Sequence, residues 1–222
     1  MVPYRMDRTA FRINSFAEAD NNTAYWLRQP VAERLRAAWY LTLQAYNLDP
    51  AELPTFDRTA SALRYRRTGD SVFNPDFQDF FRAFNRARVN YLLVGGYAVI
   101  FHGYCRSTDD LNIWVEPSPE NYQRLVTAFG YFGMPVFDMN EANFLDTNRH
   151  DVFSFGLPPS GIDVMTKVRG LEFGSAYRKS SLHEFEDLSI RVVQYQDLLR
   201  AKRAAGRNKD LNDIEQLEKG RE

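Results

Sequence analysis

The sequence predicts a mixed α+β fold: a small mixed sheet flanked by helices, preceded by a small helical N-terminal domain. Three observations predict it. Apolar residues recur at helical spacing through the first part of the chain. A cluster of turn formers, Arg66-Arg67-Thr68-Gly69-Asp70-Ser71 and then Val72-Phe73-Asn74-Pro75, interrupts that pattern. Beyond it, short apolar runs alternate with amphipathic ones, as in a sheet covered by helices. The division is therefore a helical unit over residues 1–70 and a second domain over residues 71–222.

In the helical unit, Ser15 and Glu18 have capping-box spacing ahead of Phe16, Ala19, Tyr25 and Trp26. Pro30 opens a stronger helix. It sets Val31, Leu35, Ala38, Trp39, Leu41, Leu43 and Ala45 on a broad apolar face before Asn47 and Pro50 end it. Asp7-Arg8-Thr9-Ala10 is echoed at Asp57-Arg58-Thr59-Ala60, which reads as similar turns rather than a solenoid repeat. Pro75 opens a helix whose Phe77, Phe80, Phe81 and Phe84 have the spacing of a core face. Tyr91 to Val94 reads as a strand, broken by Gly95-Gly96 and followed by a helix over Tyr97 to Phe101. Leu111 to Val115 is a second strand, and Ser118 caps a helix through Leu125, Val126 and Phe129. Val152 to Leu157 and Ile162 to Met165 form a strand pair, turned by Pro158-Pro159-Ser160-Gly161. Ile190 to Val193 is one more strand, and two helical segments close the chain.

Composition narrows the function. A hydrophobic fraction of 44% and a charged fraction of 26% exclude a disordered or fibrous chain. No apolar run approaches the roughly 18 residues needed to span a bilayer, and no secretory pattern opens the chain. The single Cys105 excludes a disulfide scaffold and fits a reducing, cytoplasmic setting. The net charge of −1 excludes a broadly basic nucleic-acid coat.

The chemistry concentrates between Val94 and Val115. A strand ending in Gly95-Gly96 and turning into a helix lets backbone N–H groups approach a phosphate closely. The next strand opens with Asp110 and presents Asn112 on the same face. In two-metal phosphoryl chemistry an Asp-x-Asp pair at this spacing on a strand holds Mg²⁺. Asp163, in the apolar segment Gly161-Ile162-Asp163-Val164-Met165, is costly there unless it meets solvent, a partner or a metal. Lys167 is its candidate ion-pair partner. Lys202, Arg203, Arg207 and Lys209 form a basic tail with no acid between Arg200 and Arg207, read either as a solvated face or as a contact for triphosphate or RNA. On the second reading, replacing them leaves folding intact. His102 reads as a hydrogen-bonded packing residue and Cys105 as an unreactive thiol.

Gly95-Gly96, then Thr108-Asp109-Asp110-Leu111-Asn112, then Ile162-Asp163 resembles the nucleotidyltransferase fold of the DNA polymerase β superfamily. More narrowly, the chain is similar to the minimal bacterial nucleotidyltransferases of the AbiEii-like toxin group. Lys202 to Ile214 resembles that group's closing motif. Residues 1–70 resemble small helical proteins encoded beside such enzymes. The resemblance implies a Mg²⁺ (or Mn²⁺) enzyme that moves a nucleoside monophosphate from an NTP to an acceptor tRNA end or protein side chain, in a toxin–antitoxin or antiviral setting. It assigns Asp110, position 112 and Asp163 to the metals and to catalysis. It assigns Gly95, Gly96, Arg106, Thr108, Lys167 and the tail Lys202, Arg203, Arg207 and Lys209 to the nucleotide. One position departs from the family: Asn112 stands where a second metal-binding acid is expected, and it keeps a carbonyl oxygen but lacks the charge. The competing expectation is a non-catalytic, nucleotide-binding or interaction protein on the same fold. In both, residues 1–70 are expected to pack on the second domain or on another copy of the chain.

Overall fold

The computed structural model describes residues 23–49, 74–157, 159–185 and 188–221. The Ser15 cap, both Asp-Arg-Thr segments and all of the 66–74 turn cluster except Asn74 lie outside these residues. The elements are α1 (Thr23–Arg28), α2 (Val31–Ala45), α3 (Pro75–Arg86), β1 (Tyr91–Leu93), α4 (Gly95–Phe101), β2 (Asp110–Val115), α5 (Pro119–Phe132), α6 (Glu141–Leu145), β3 (Val152–Phe155), β4 (Gly161–Met165), α7 (Phe173–Lys179), β5 (Ser181–Phe185), β6 (Leu188–Val192), α8 (Tyr195–Ala205) and α9 (Asn208–Lys219). The fold is α+β, with a mixed sheet of six strands in the order β3-β4-β2-β1-β6-β5. No described helix is long and apolar enough to cross a membrane.

Sequence chemistry accounts for the main boundaries. The Asn74 side chain accepts from the Asp76 N–H at 2.8 Å and starts α3 at its proline. Ser118 does the same for α5 through Asn121 N–H at 3.3 Å, and Gly133 ends it at φ +79°, a conformation natural to glycine. Phe77, Phe80, Phe81 and Phe84 are all fully buried. Phe80 meets Phe129 and Phe132 of α5 edge to face, with centroids 5.9 and 5.2 Å apart. Each such ring stabilises the fold by about 2 kcal/mol through burial alone. Several strand limits shift from the expectation by one or two residues: β1 stops at Leu93, so Gly95-Gly96 forms the first turn of α4, β2 begins at Asp110, β3 ends at Phe155, β4 begins at Gly161, and β6 runs from Leu188 to Val192.

The first two helices pack directly on the rest. On α2, Leu35, Ala38, Trp39 and Leu43 are buried, whereas Leu41, expected on the same face, is 40% exposed. Arg34 is buried as well. Its Nη1 donates to the carbonyls of Phe101 and, at 3.4 Å, Ile100, capping the C-terminus of α4. Burial holds its pKa below the ordinary arginine value. α1 closes the other end: a Cβ on Gly103 would lie 2.4 Å from Leu27, and one on Gly220, just past α9, 2.2 Å from Thr23. Arg34→Met leaves the α4 carbonyls short of a donor in a buried place, which costs about 1–3 kcal/mol. The melting temperature should fall by about 5 °C. A melt identical to the parent would show that α2 is not anchored through this residue.

Candidate functional site

Two neighbouring parallel strands place the acids. β2 and β4 pair with Asn112 opposite Asp163, and side chains alternate along each strand, so Asp110, Asn112 and Asp163 share one face. Asn112 Nδ2 donates to Asp110 Oδ2 at 2.8 Å and reaches Asp163 Oδ2 at 3.4 Å. Ser154, opposite Asp163 on β3, donates through Oγ to Asp163 Oδ1 at 2.6 Å. Burial raises the Asp163 pKa above the usual carboxylate value; the Ser154 hydrogen bond opposes this and the Asp110 charge adds to it.

The glycine turn closes over the same group. Gly95 has φ +62°, and a Cβ there would fall 1.8 Å from Asn112 Oδ1. A Cβ on Gly96 would fall 2.2 Å from Thr108 Oγ1. Space disfavours any side chain at both positions, and at Gly95 the backbone conformation does so as well. The Gly96 N–H points at Asn112 Oδ1 at 3.4 Å. α2 braces the segment leading into β2: the Thr108 N–H donates to Thr42 Oγ1 at 3.2 Å, and Thr42 Oγ1 lies 3.0 Å from the Ala38 carbonyl it donates to.

Every site residue expected from the sequence lines one cavity of about 580 Å³, with the exception of Arg203. Arg203 projects outward and donates to Glu218 on α9 at 2.5 Å. Lys167 does not pair with Asp163; its Nζ donates to Asn148 at 3.4 Å. The basic tail also differs from the expected free polyanion contact. Lys202 is buried, with Nζ 2.7 Å from Asp213 and 3.0 Å from Asp210. Asp213 is fully buried and also holds Arg106 in a two-pronged pair, Nε at 2.7 Å and Nη2 at 2.8 Å. Arg207 donates to Asp210 at 2.7 Å, and Lys209 lies 3.5 Å from Asp109. Burial pushes the Asp210 carboxyl up, but the hydrogen bonds from Arg207 and Lys202 outweigh it and hold the group below its ordinary range. The expectation that Lys202 is dispensable for folding is thus overturned, because its loss takes from two buried carboxylates the one buried cation they share, leaving Asp213 with Arg106 and Asp210 with Arg207.

His102 is a packing residue, as expected. Its Nε2 lies 2.8 Å from the Val193 carbonyl, and burial holds the ring down to about 4, so it is neutral near pH 7 and donates. Burial pushes the Cys105 thiol up to about 12, which leaves it without thiolate character. Sequence reasoning missed Ser154, Thr42 and Arg169, and gave Asp210 and Asp213 no role. Only the position of Asp210 and Asp213 a turn apart on one helix hinted that they act together.

The acid group suits a hard divalent cation in part. Asp110 and Asp163 supply carboxylate oxygens and Asn112 a carbonyl oxygen. Among the described residues there is no cluster of three or more His, Cys, Asp and Glu able to hold a metal, and an acid in place of Asn112 would supply the third member here. No protein-family model and no curated protein matches the chain.

Proposed function

We propose that this chain is a nucleotidyltransferase dependent on Mg²⁺ or Mn²⁺, built on the polymerase β type of nucleotidyltransferase fold and acting in the cytoplasm. The observation that supports it most is the register that sets Asp110, Asn112 and Asp163 on one face, beneath the close-packed turn of Gly95 and Gly96. Asp110, Asn112 and Asp163 would hold the metal, which supplies charge neutralisation at the transferred phosphoryl group and acidifies the acceptor hydroxyl. The acceptor oxygen forms a bond to the α-phosphorus of the NTP, the bond to the β-phosphate oxygen breaks, and pyrophosphate leaves. Asp163 Oδ1 is engaged by Ser154, which leaves Oδ2 to receive the acceptor proton. Gly95 and Gly96 leave room for the phosphates to approach the backbone. The acceptor is a tRNA end or a protein side chain, in a toxin–antitoxin or antiviral setting.

One observation favours a second reading, nucleotide binding without turnover. The Asn112 amide lies between both acids, a neutral donor standing where a cation is required. The two readings separate in a label-transfer assay with each labelled NTP, Mg²⁺ and bulk tRNA or cell lysate. Asn112→Asp should give transfer at least tenfold above the parent, and Asp110→Ala should abolish it. Nucleotide binding by Asn112→Asp with no transfer to any acceptor would establish the second reading instead.

A further inference from the structure

Six cationic side chains line the cavity: Arg106, Lys167, Arg169, Lys202, Arg207 and Lys209. Four of them already have carboxylate partners. Arg106 and Lys202 are tied to Asp213, Lys202 and Arg207 to Asp210, and Lys209 to Asp109. An anion arriving at these groups competes with a counter-ion that is in place, and at Asp213 with one that is fully buried. Lys167 and Arg169 are different. Both are exposed, and neither has a carboxylate partner among the described residues.

Their placement is built by the fold. At the end of β4 and just beyond it, Asp163, Met165, Lys167, Val168 and Arg169 line the cavity, while Val164 and Thr166 are buried. The two cations thus lie on the same cavity as Asp163, in the segment that leaves its strand. Gly170 then turns the chain at φ +77°, so close to α8 that a Cβ would lie 3.0 Å from that of Ala204. This packing fixes Arg169 at the rim. The α8 wall of the cavity presents Leu198, Ala201 and Ala205, which offer phosphate nothing, and Lys202, whose ammonium is taken up by Asp210 and Asp213.

We infer that Lys167 and Arg169 are the phosphate-binding cations of this cavity, and that they take the terminal phosphates of a nucleoside triphosphate while the basic tail is structural. The inference rests on the nucleotidyltransferase reading above and assigns the binding of its substrate. An arginine fork and a lysine point charge suit two adjacent phosphoryl groups. The cavity, at about 580 Å³, has the size of a nucleotide site rather than of an open nucleic-acid track.

Isothermal titration of the full chain with inorganic tripolyphosphate, each of the four common NTPs and a short single-stranded RNA tests this. Lys167→Gln and Arg169→Gln should each weaken tripolyphosphate and NTP about tenfold. Their melting temperatures should match the parent, since both side chains are exposed. Lys209→Gln, which removes a cation already paired at the same rim, should change affinity by about twofold or less. Parent-like NTP binding by Arg169→Gln and Lys167→Gln, or a loss no larger than that of Lys209→Gln, overturns this inference alone. Weakening confined to the RNA reassigns the pair to the acceptor and overturns it too. A parent chain that binds neither tripolyphosphate nor any NTP removes the nucleotidyltransferase reading along with it.

Discussion

Lys202→Gln is expected to lower the melting temperature by about 10 °C. Its ammonium lies between two carboxylates that solvent does not reach, 2.7 Å from Asp213 and 3.0 Å from Asp210. Arg106 and Arg207 still reach these carboxylates, but removing the buried cation that both share costs about 3–5 kcal/mol. In a chain of this size each kcal/mol moves the midpoint by about 2–4 °C. Arg203→Gln, by contrast, breaks a pair exposed on both sides and should leave the melt within about 2 °C. The pH dependence supplies a second signature. Asp210 has a folded pKa below its ordinary value, so its stabilisation is present above the unfolded value and disappears as pH falls through the folded one. Lys202→Gln removes one of the cations that depress it, so the acid loss of stability from this group should be smaller and end at higher pH than in the parent. Coincident acid limbs and an unchanged melt would place Lys202 on a solvated face after all.

Asn112→Asp is expected to raise Mg²⁺ affinity tenfold or more, while making the metal-free protein less stable. The amide that now donates to Asp110 and reaches Asp163 becomes a carboxylate that accepts only. Three like charges then share one face, so the unliganded fold loses about 1–3 kcal/mol. A divalent cation reverses that repulsion and binds the additional oxygen charge. Mg²⁺ should therefore raise the melting temperature of Asn112→Asp by several degrees and leave the parent nearly unmoved. Affinity should also rise with pH in both forms, because the proton that Asp163 retains above the usual carboxylate range must leave before its oxygens can coordinate. Equal Mg²⁺ titrations for parent and variant would dismiss position 112 as a ligand.

What the sequence disclosed follows the distance over which each interaction acts. The Asn74 and Ser118 caps, the Phe77 to Phe84 face and the Asp110–Asn112 pair depend on neighbours a few residues away, and each was legible. Asp163 was legible because an acid in an apolar strand needs a reason. The Arg106–Asp213 pair joins residues 107 positions apart, and no spacing along the chain announces it. The tail was misread for a related cause. No acid lies between Arg200 and Arg207, but Asp210 and Asp213 fold back on it from the next helix. β5 escaped notice because Ser181-Leu182-His183-Glu184-Phe185 is an edge strand, half polar, with Leu182 51% exposed. The bracing of Thr108 by Thr42 spans 66 positions and two hydroxyl-bearing residues of no special pattern.

The buried pair between Arg106 and Asp213 has a consequence for synthesis. The strands carrying Asp110 and Asp163 emerge from the ribosome long before α9, at about 5–20 residues per second. Until α9 follows them, Arg106 and Lys202 have no buried counter-ion from Asp210 or Asp213, and the segment entering β2 lacks its anchor on the C-terminal side. A nascent chain can therefore form its sheet and its acid face early, yet the finished pocket is one of the last things it makes. Ribosome-stalled chains ending before α9 would present the acids without the walls around them.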